Sequence, residues 1–201
     1  MTKIERRGGI PAEIRADESG IKVSGYAAVF GEIADIGGYF REVIEAGAFK
    51  AAIGRDDVVF LINHEGLPLA RTRSGTLKLS EDAHGLYMET ELDPIDPDVM
   101  SIVGKMKRGD LDKMSFAFMP TVQEWDESGD TPLRTIKEAS LFDVSIVTTP
   151  AYSGTDIGLR SLTEWRDANR NEFTNPAATS AHRATAKRRS MQLDLKVRTG
   201  T

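Results

Sequence analysis

At 201 residues, 40% apolar and 28% charged, the chain suits one globular domain, or one domain with a tail, and is too short for two full domains. The absence of cysteine excludes thiol nucleophiles, disulfide frameworks and Cys-ligated zinc, so any nucleophile is an oxygen or an amine. A net charge of −5 argues against a general nucleic-acid binder. No stretch approaches the roughly 18 apolar residues of a membrane span, and the first residues lack an apolar leader, so a cytosol-like compartment is expected with neither membrane nor specific nucleic acid as partner.

Residues 1–19 read as an N-terminal lead-in. From Gly20 to Pro150, short β-like runs alternate with Gly, Asp and Pro punctuation. Strands are predicted near Ile21–Phe30, Tyr39–Ile44, Asp57–Asn63, Thr76–Ser80, Gly85–Leu92, Lys113–Gln123, Arg134–Ala139 and Leu141–Thr148. Helices are predicted over Ala46–Ile53, over Asp96–Arg108, and over roughly Ser161–Glu172. In the second of these, Val99, Met100, Ile102, Val103 and Met106 form a stripe that Gly109 terminates. A sheet of eight strands must hide its edges, so the expected fold is mainly β with helices (α+β), a closed or nearly closed antiparallel β-barrel flanked by a few helices. The domain is expected over 20–160, a C-terminal helix over 161–174 and a disordered basic tail over 175–201. Charge supports the division, with 18 Lys and Arg against 27 Asp and Glu in 1–160, but 8 against 4 in 161–201. The tail is expected to be dispensable for folding, and to serve as a self-cleavage target or a recruitment handle.

Three histidines bound the acid–base chemistry. His182 falls in the tail and His84 in a turn, whereas His64 ends the apolar run Val58-Val59-Phe60-Leu61-Ile62-Asn63, so a buried strand presents its imidazole. A hydrogen-bonded structural histidine would look the same. In Lys113-Met114-Ser115-Phe116-Ala117-Phe118, alternation puts Met114, Phe116 and Phe118 on one face and the small Ser115 and Ala117 on the other. Such a face suits either a substrate strand or tight sheet packing. Glu138 and Asp143, in or beside the last strands, are the carboxylates able to orient an imidazole, and both are equally ordinary as solvated strand residues. No HExxH, calcium loop or glycine-rich phosphate loop occurs, so neither metal nor cofactor is expected.

An ordered set of segments carries more. Gly25-Tyr-Ala-Ala-Val-Phe30, Phe40-Arg-Glu-Val-Ile-Glu-Ala-Gly-Ala-Phe49, Phe60-Leu-Ile-Asn-His64, Asp82-Ala-His-Gly-Leu86, Lys113-Met-Ser-Phe-Ala-Phe118 and Leu141-Phe-Asp-Val-Ser-Ile-Val-Thr-Thr-Pro-Ala-Tyr152 together resemble the HK97-type phage prohead protease family. These are the caudovirus head-maturation serine proteases, related to herpesvirus assembly proteases. The resemblance implies a herpesvirus-protease-like barrel with His64 and Ser115 as the catalytic pair of a serine endopeptidase. The herpesvirus relatives use a second histidine as third member. Here none lies near the last strands, so Glu138 is the expected replacement and Asp143 the competitor, since one bulge would swap the faces they occupy. Backbone N–H groups, or an arginine such as Arg134, would form the oxyanion hole. The implied substrates are the major capsid protein, scaffold segments and the protease itself, inside the immature capsid in the host cytoplasm, and a homo-oligomer is compatible with this. The alternative of another class is a non-catalytic β-barrel scaffold or capsid-assembly module.

Overall fold

A computed structural model describes residues 4–17, 20–149 and 155–168. In chain order these form β1 (Glu5–Asp17), β2 (Gly20–Val29), β3 (Ala34–Ile36), β4 (Phe40–Ile44), α1 (Lys50–Arg55), β5 (Val59–Ile62), β6 (Glu65–Arg71), β7 (Leu77–Glu81), β8 (Gly85–Leu92), α2 (Pro97–Arg108), β9 (Lys113–Asp126), β10 (Leu133–Val147) and α3 (Thr155–Ala168). Period-two patterning explains the strands most directly in β8, where Leu86, Met88, Thr90 and Leu92 are buried and Glu89 and Glu91 exposed. The sequence of α2 specifies both of its ends. Asp96 caps it by accepting from the Asp98 N–H at 2.8 Å, Pro97 follows the cap, and Gly109 closes it in the left-handed region at φ 81°. Val99, Ile102 and Met106 turn inward while Met100 stays exposed. Among the described residues no helix is long and apolar enough to cross a membrane.

The strands pair in the order β3-β4-β10-β9-β1-β2-β8-β7, with β5 joining β10 and β6 joining β5. The fold is α+β, as expected, but the sheet does not close into a barrel. It forks instead. The 15-residue β10 carries β4 in parallel along Leu133–Ile136 and β5 in parallel along Asp143–Ile146, so one edge of one strand serves two partners. β10 is also continuous where two strands were expected.

The N-terminal residues are not a lead-in. β1 pairs β9 through Glu5–Pro11 and β2 through Ala12–Asp17, linking the two halves of the sheet. A bulge at Gly8–Ile10 interrupts the pairing with β9, and Gly9 takes a positive φ of 125° there. The part of the strand that faces β9 escapes a hydrophobicity search because Glu5 and Arg7, its buried residues among those described, are charged and lie in ion pairs with Glu42 and Arg134.

One apolar core joins β2, β8, α1 and α2 to Met114, Phe116 and Phe118 of β9 and to Leu141, Val144 and Ile146 of β10. Full burial of each such side chain is worth about 1.5–3 kcal/mol. A second cluster of Ile36, Phe40, Trp125 and Leu162 brings α3 onto the sheet, with Trp165 against it. α3 begins at Thr155, so the expected boundary at 160 falls inside a helix whose Leu162 is buried. The expected tail at 175–201 lies outside the described residues.

Candidate active site

His64 is held by a turn, not by the strand before it. Ile62 of β5 pairs with Glu65 of β6, leaving Asn63 and His64 as a two-residue hairpin loop. Both have positive φ, 51° and 61°, as tight hairpin turns with right-handed strand twist demand. Asn63 tolerates this conformation well and also anchors the loop: its N–H donates to the Ile146 carbonyl at 2.9 Å, and its Oδ1 accepts from the Thr148 N–H at 3.0 Å. The loop is thereby tied to the end of β10, and the imidazole reaches across that strand.

Ser115, near the start of β9 in the antiparallel β9–β10 pair, stands directly opposite Ser145 near the end of β10. Its Oγ lies 2.7 Å from His64 Nε2, and on the other side of the ring His64 Nδ1 lies 2.6 Å from Asp143 Oδ1. A carboxylate only accepts, so Nδ1 carries the ring proton and Nε2 is left as an acceptor for the Ser115 hydroxyl. The Ser145 hydroxyl donates to the same Asp143 Oδ1 at 2.7 Å and lies 3.3 Å from His64 Nδ1. Ser115 and Ser145 have no exposed surface, and Asp143 is only 7% exposed.

A bulge puts Asp143 on this face. Leu141 stands opposite the core residue Phe118, but Asp143, not Phe142, stands opposite Ala117. Without the extra residue Asp143 would face Phe116 and point into the apolar core. Glu138, the expected third residue, does not take this place. It lies exposed, five residues earlier in β10 and opposite Val122, and its electrostatic neighbour is Arg55. Sequence parity could not separate the two acids, because the β9–β10 register shifts three times between Ile136 and Asp143.

β1 closes the other side of Ser115. Gly8 is its register partner, and a Cβ there would fall 2.5 Å from the Met114 carbonyl oxygen and 2.7 Å from Ser115 Cβ, so only glycine fits. The Arg7 carbonyl oxygen is within hydrogen-bond distance of Ser115 Oγ, at 2.8 Å. Neither neighbour was foreseen, nor was Ser145. The only available signal for Ser145 was its spacing of two from Asp143, which places both on one face of a strand.

Arg134, considered for an oxyanion hole, is unavailable for that task. It is fully buried and bonded to Glu5 at 2.8 Å, Glu42 at 3.0 Å and Gln123 at 2.7 Å, with its guanidinium over the Trp125 ring. In the same cluster Arg7 bonds Glu42 at 2.7 Å and Glu5 at 2.9 Å. Burial alone would raise the Glu5 carboxyl, yet the hydrogen bonds and charges of Arg134 and Arg7 outweigh it and hold the group below its ordinary range. For Arg7, burial opposes the charge, and Glu42 and Glu5 reverse the balance and raise it.

A buried hydroxyl, an imidazole and a carboxylate in line can move the hydroxyl proton onto the ring as the oxygen attacks an electrophile. Comparison with known proteins bears on which electrophile. The caudovirus prohead serine protease family matches residues 11–168. Among solved structures the bacteriophage T4 capsid assembly protease superposes with a TM-score of 0.49 at 11% identity, over 72% of this chain and 97% of that one. No curated protein matches the sequence. With the family match spanning most of the chain, the protein belongs to the caudovirus prohead serine proteases.

Proposed function

We propose that this prohead protease cleaves peptide bonds by acyl transfer, with Ser115 as nucleophile, His64 as general base and then acid, and Asp143 as the carboxylate that orients the imidazole. The observation that carries the reading is the position of His64 between Ser115 Oγ at 2.7 Å and Asp143 Oδ1 at 2.6 Å. Oγ attacks the scissile carbonyl carbon as its proton passes to Nε2. The tetrahedral intermediate collapses, the leaving amine takes that proton, and an acyl group remains on Ser115. Water then repeats the sequence in reverse, giving its proton to His64 and releasing the new carboxyl end. Asp143 stays ionised throughout and stabilises the imidazolium formed at each attack.

The Ser115 hydroxyl has one proton and two acceptors, His64 Nε2 and the Arg7 carbonyl. Only the orientation toward His64 is productive. Because Ser115 is fully buried between the imidazole and β1, a peptide carbonyl reaches Oγ only when one of these neighbours gives way. The substrates are capsid or scaffold proteins within the immature capsid, consistent with the prohead role of the family.

Co-expression with the major capsid protein tests the reading. The wild-type chain is expected to process it, and the Ser115→Ala chain to fold and leave it intact. Full processing by Ser115→Ala would remove Ser115 from the mechanism.

A further inference from the structure

We propose that Ser145 is a positioning residue that locks the Asp143 carboxylate against His64, an inference that rests on the acyl-transfer reading above. Ser145 is a polar side chain in an apolar stretch, flanked by the core residues Val144 and Ile146, and has no exposed surface. It occupies the middle of the sheet, opposite Ser115 on one side and Leu61 on the other. A buried hydroxyl there needs a partner, and a backbone carbonyl would satisfy it. Instead it donates to Asp143 Oδ1 at 2.7 Å, the same oxygen that faces His64 Nδ1 at 2.6 Å.

The consequence is geometric. One hydrogen bond leaves a carboxylate free to turn about its terminal torsion, which is broad and nearly two-fold. A second donor on the same oxygen, from a residue fixed in the strand, removes that freedom. Ser145 Oγ also lies 3.3 Å from His64 Nδ1, so the three polar atoms form a closed triangle that fixes the ring as well. The lock matters most when His64 has taken the Ser115 proton, because the imidazolium then depends on a carboxylate already in place. Its loss should therefore slow bond formation at Ser115 and leave binding unchanged.

The test uses the full-length chain and a fluorophosphonate. Ser115 Oγ bonds to phosphorus, fluoride leaves, and the hydroxyl proton is taken up by His64. Saturation kinetics separate the binding constant from the maximal labelling rate. Ser145→Thr and Ser145→Val have nearly the same shape and differ in the hydroxyl, and both suit a strand. The expected result is that Ser145→Val lowers the maximal rate about tenfold, the size of one lost charge-assisted hydrogen bond. Binding should stay within about twofold, and Ser145→Thr should restore most of the rate. Equal rates for Thr and Val, or a loss confined to binding, would overturn the proposal. If Val does not fold to the wild-type melting profile, Ser145→Ala replaces it, read by the proton resonance of His64 Nδ1–H. Movement or broadening of that signal supports the lock, and an unchanged signal refutes it. Ser115→Ala keeps the two ideas apart: labelling that survives in Ser115→Ala defeats the acyl-transfer reading. If Ser115→Ala is not labelled while Ser145→Val is labelled at the wild-type rate, only the positioning role is defeated.

Discussion

Two buried polar clusters share β10 and touch at β1, and they behave in opposite ways. One consists of Glu5, Arg7, Glu42 and Arg134, two carboxylates and two guanidiniums whose charges cancel and whose bonds are reciprocal. The other consists of Ser115, His64, Asp143 and Ser145, where a single carboxylate anchors a chain of hydrogen bonds with a movable proton. They meet at Arg7, whose guanidinium belongs to the first and whose carbonyl touches Ser115 in the second. Saturation makes the first cluster inert: every charge that could stabilise a developing anion is already committed to a partner. The second retains an acceptor on one side of an imidazole and a donor on the other, which is what proton transfer requires.

Substitutions in the reactive cluster are expected to have the largest effects and to be non-additive. Ser115→Ala and His64→Ala should each lower turnover about 10⁴-fold or more, and the double variant should be no worse than either. Multiplying losses, measured by single-turnover cleavage of a capsid-protein peptide, would mean the two side chains act separately. Asp143→Asn should cost about 10²–10⁴-fold, because the carboxamide can donate to Nδ1 and hold the wrong tautomer. Glu138→Gln should stay within about twofold on the same assay, since an exposed side chain outside the cluster does not touch the imidazole. The reverse ranking would return the third position to Glu138.

The charged cluster should show itself in stability instead. Arg134→Met leaves Glu5 and Glu42 sharing Arg7 alone and should cost about 3–5 kcal/mol in a denaturant melt, the range for breaking a buried ionic network. The exposed Arg108–Asp110 pair is the contrast, and Arg108→Ala should cost no more than about 1 kcal/mol. Using the Ser115→Ala background keeps self-cleavage out of these melts. The smallest effect is the pH dependence. The Glu5 carboxyl is held below its ordinary value in the folded chain, so its contribution is complete above the ordinary glutamate range and is lost as pH falls through the folded value. Melting temperatures should decline on acidification in that window, and Glu5→Gln should flatten the decline. An equally steep decline in Glu5→Gln would place the acid sensitivity elsewhere.

Local sequence signals determined a good deal on their own. The caps and stripe of α2, the alternation of β8, the small face at Ser115 and the imidazole after an apolar run were all readable, because each depends on neighbours within a few residues. The zero cysteine count fixed the class of nucleophile. Only the tertiary structure decided the rest. The first half of β1 is invisible to hydrophobic patterning, since its buried Glu5 and Arg7 are charges neutralised by partners 129 and 35 positions away. Closure of the sheet depended on how long β10 would run and which strands it would accept along one edge. The choice between Glu138 and Asp143 turned on register shifts along β10, which no periodicity reports because a bulge costs little locally and reverses every face beyond it.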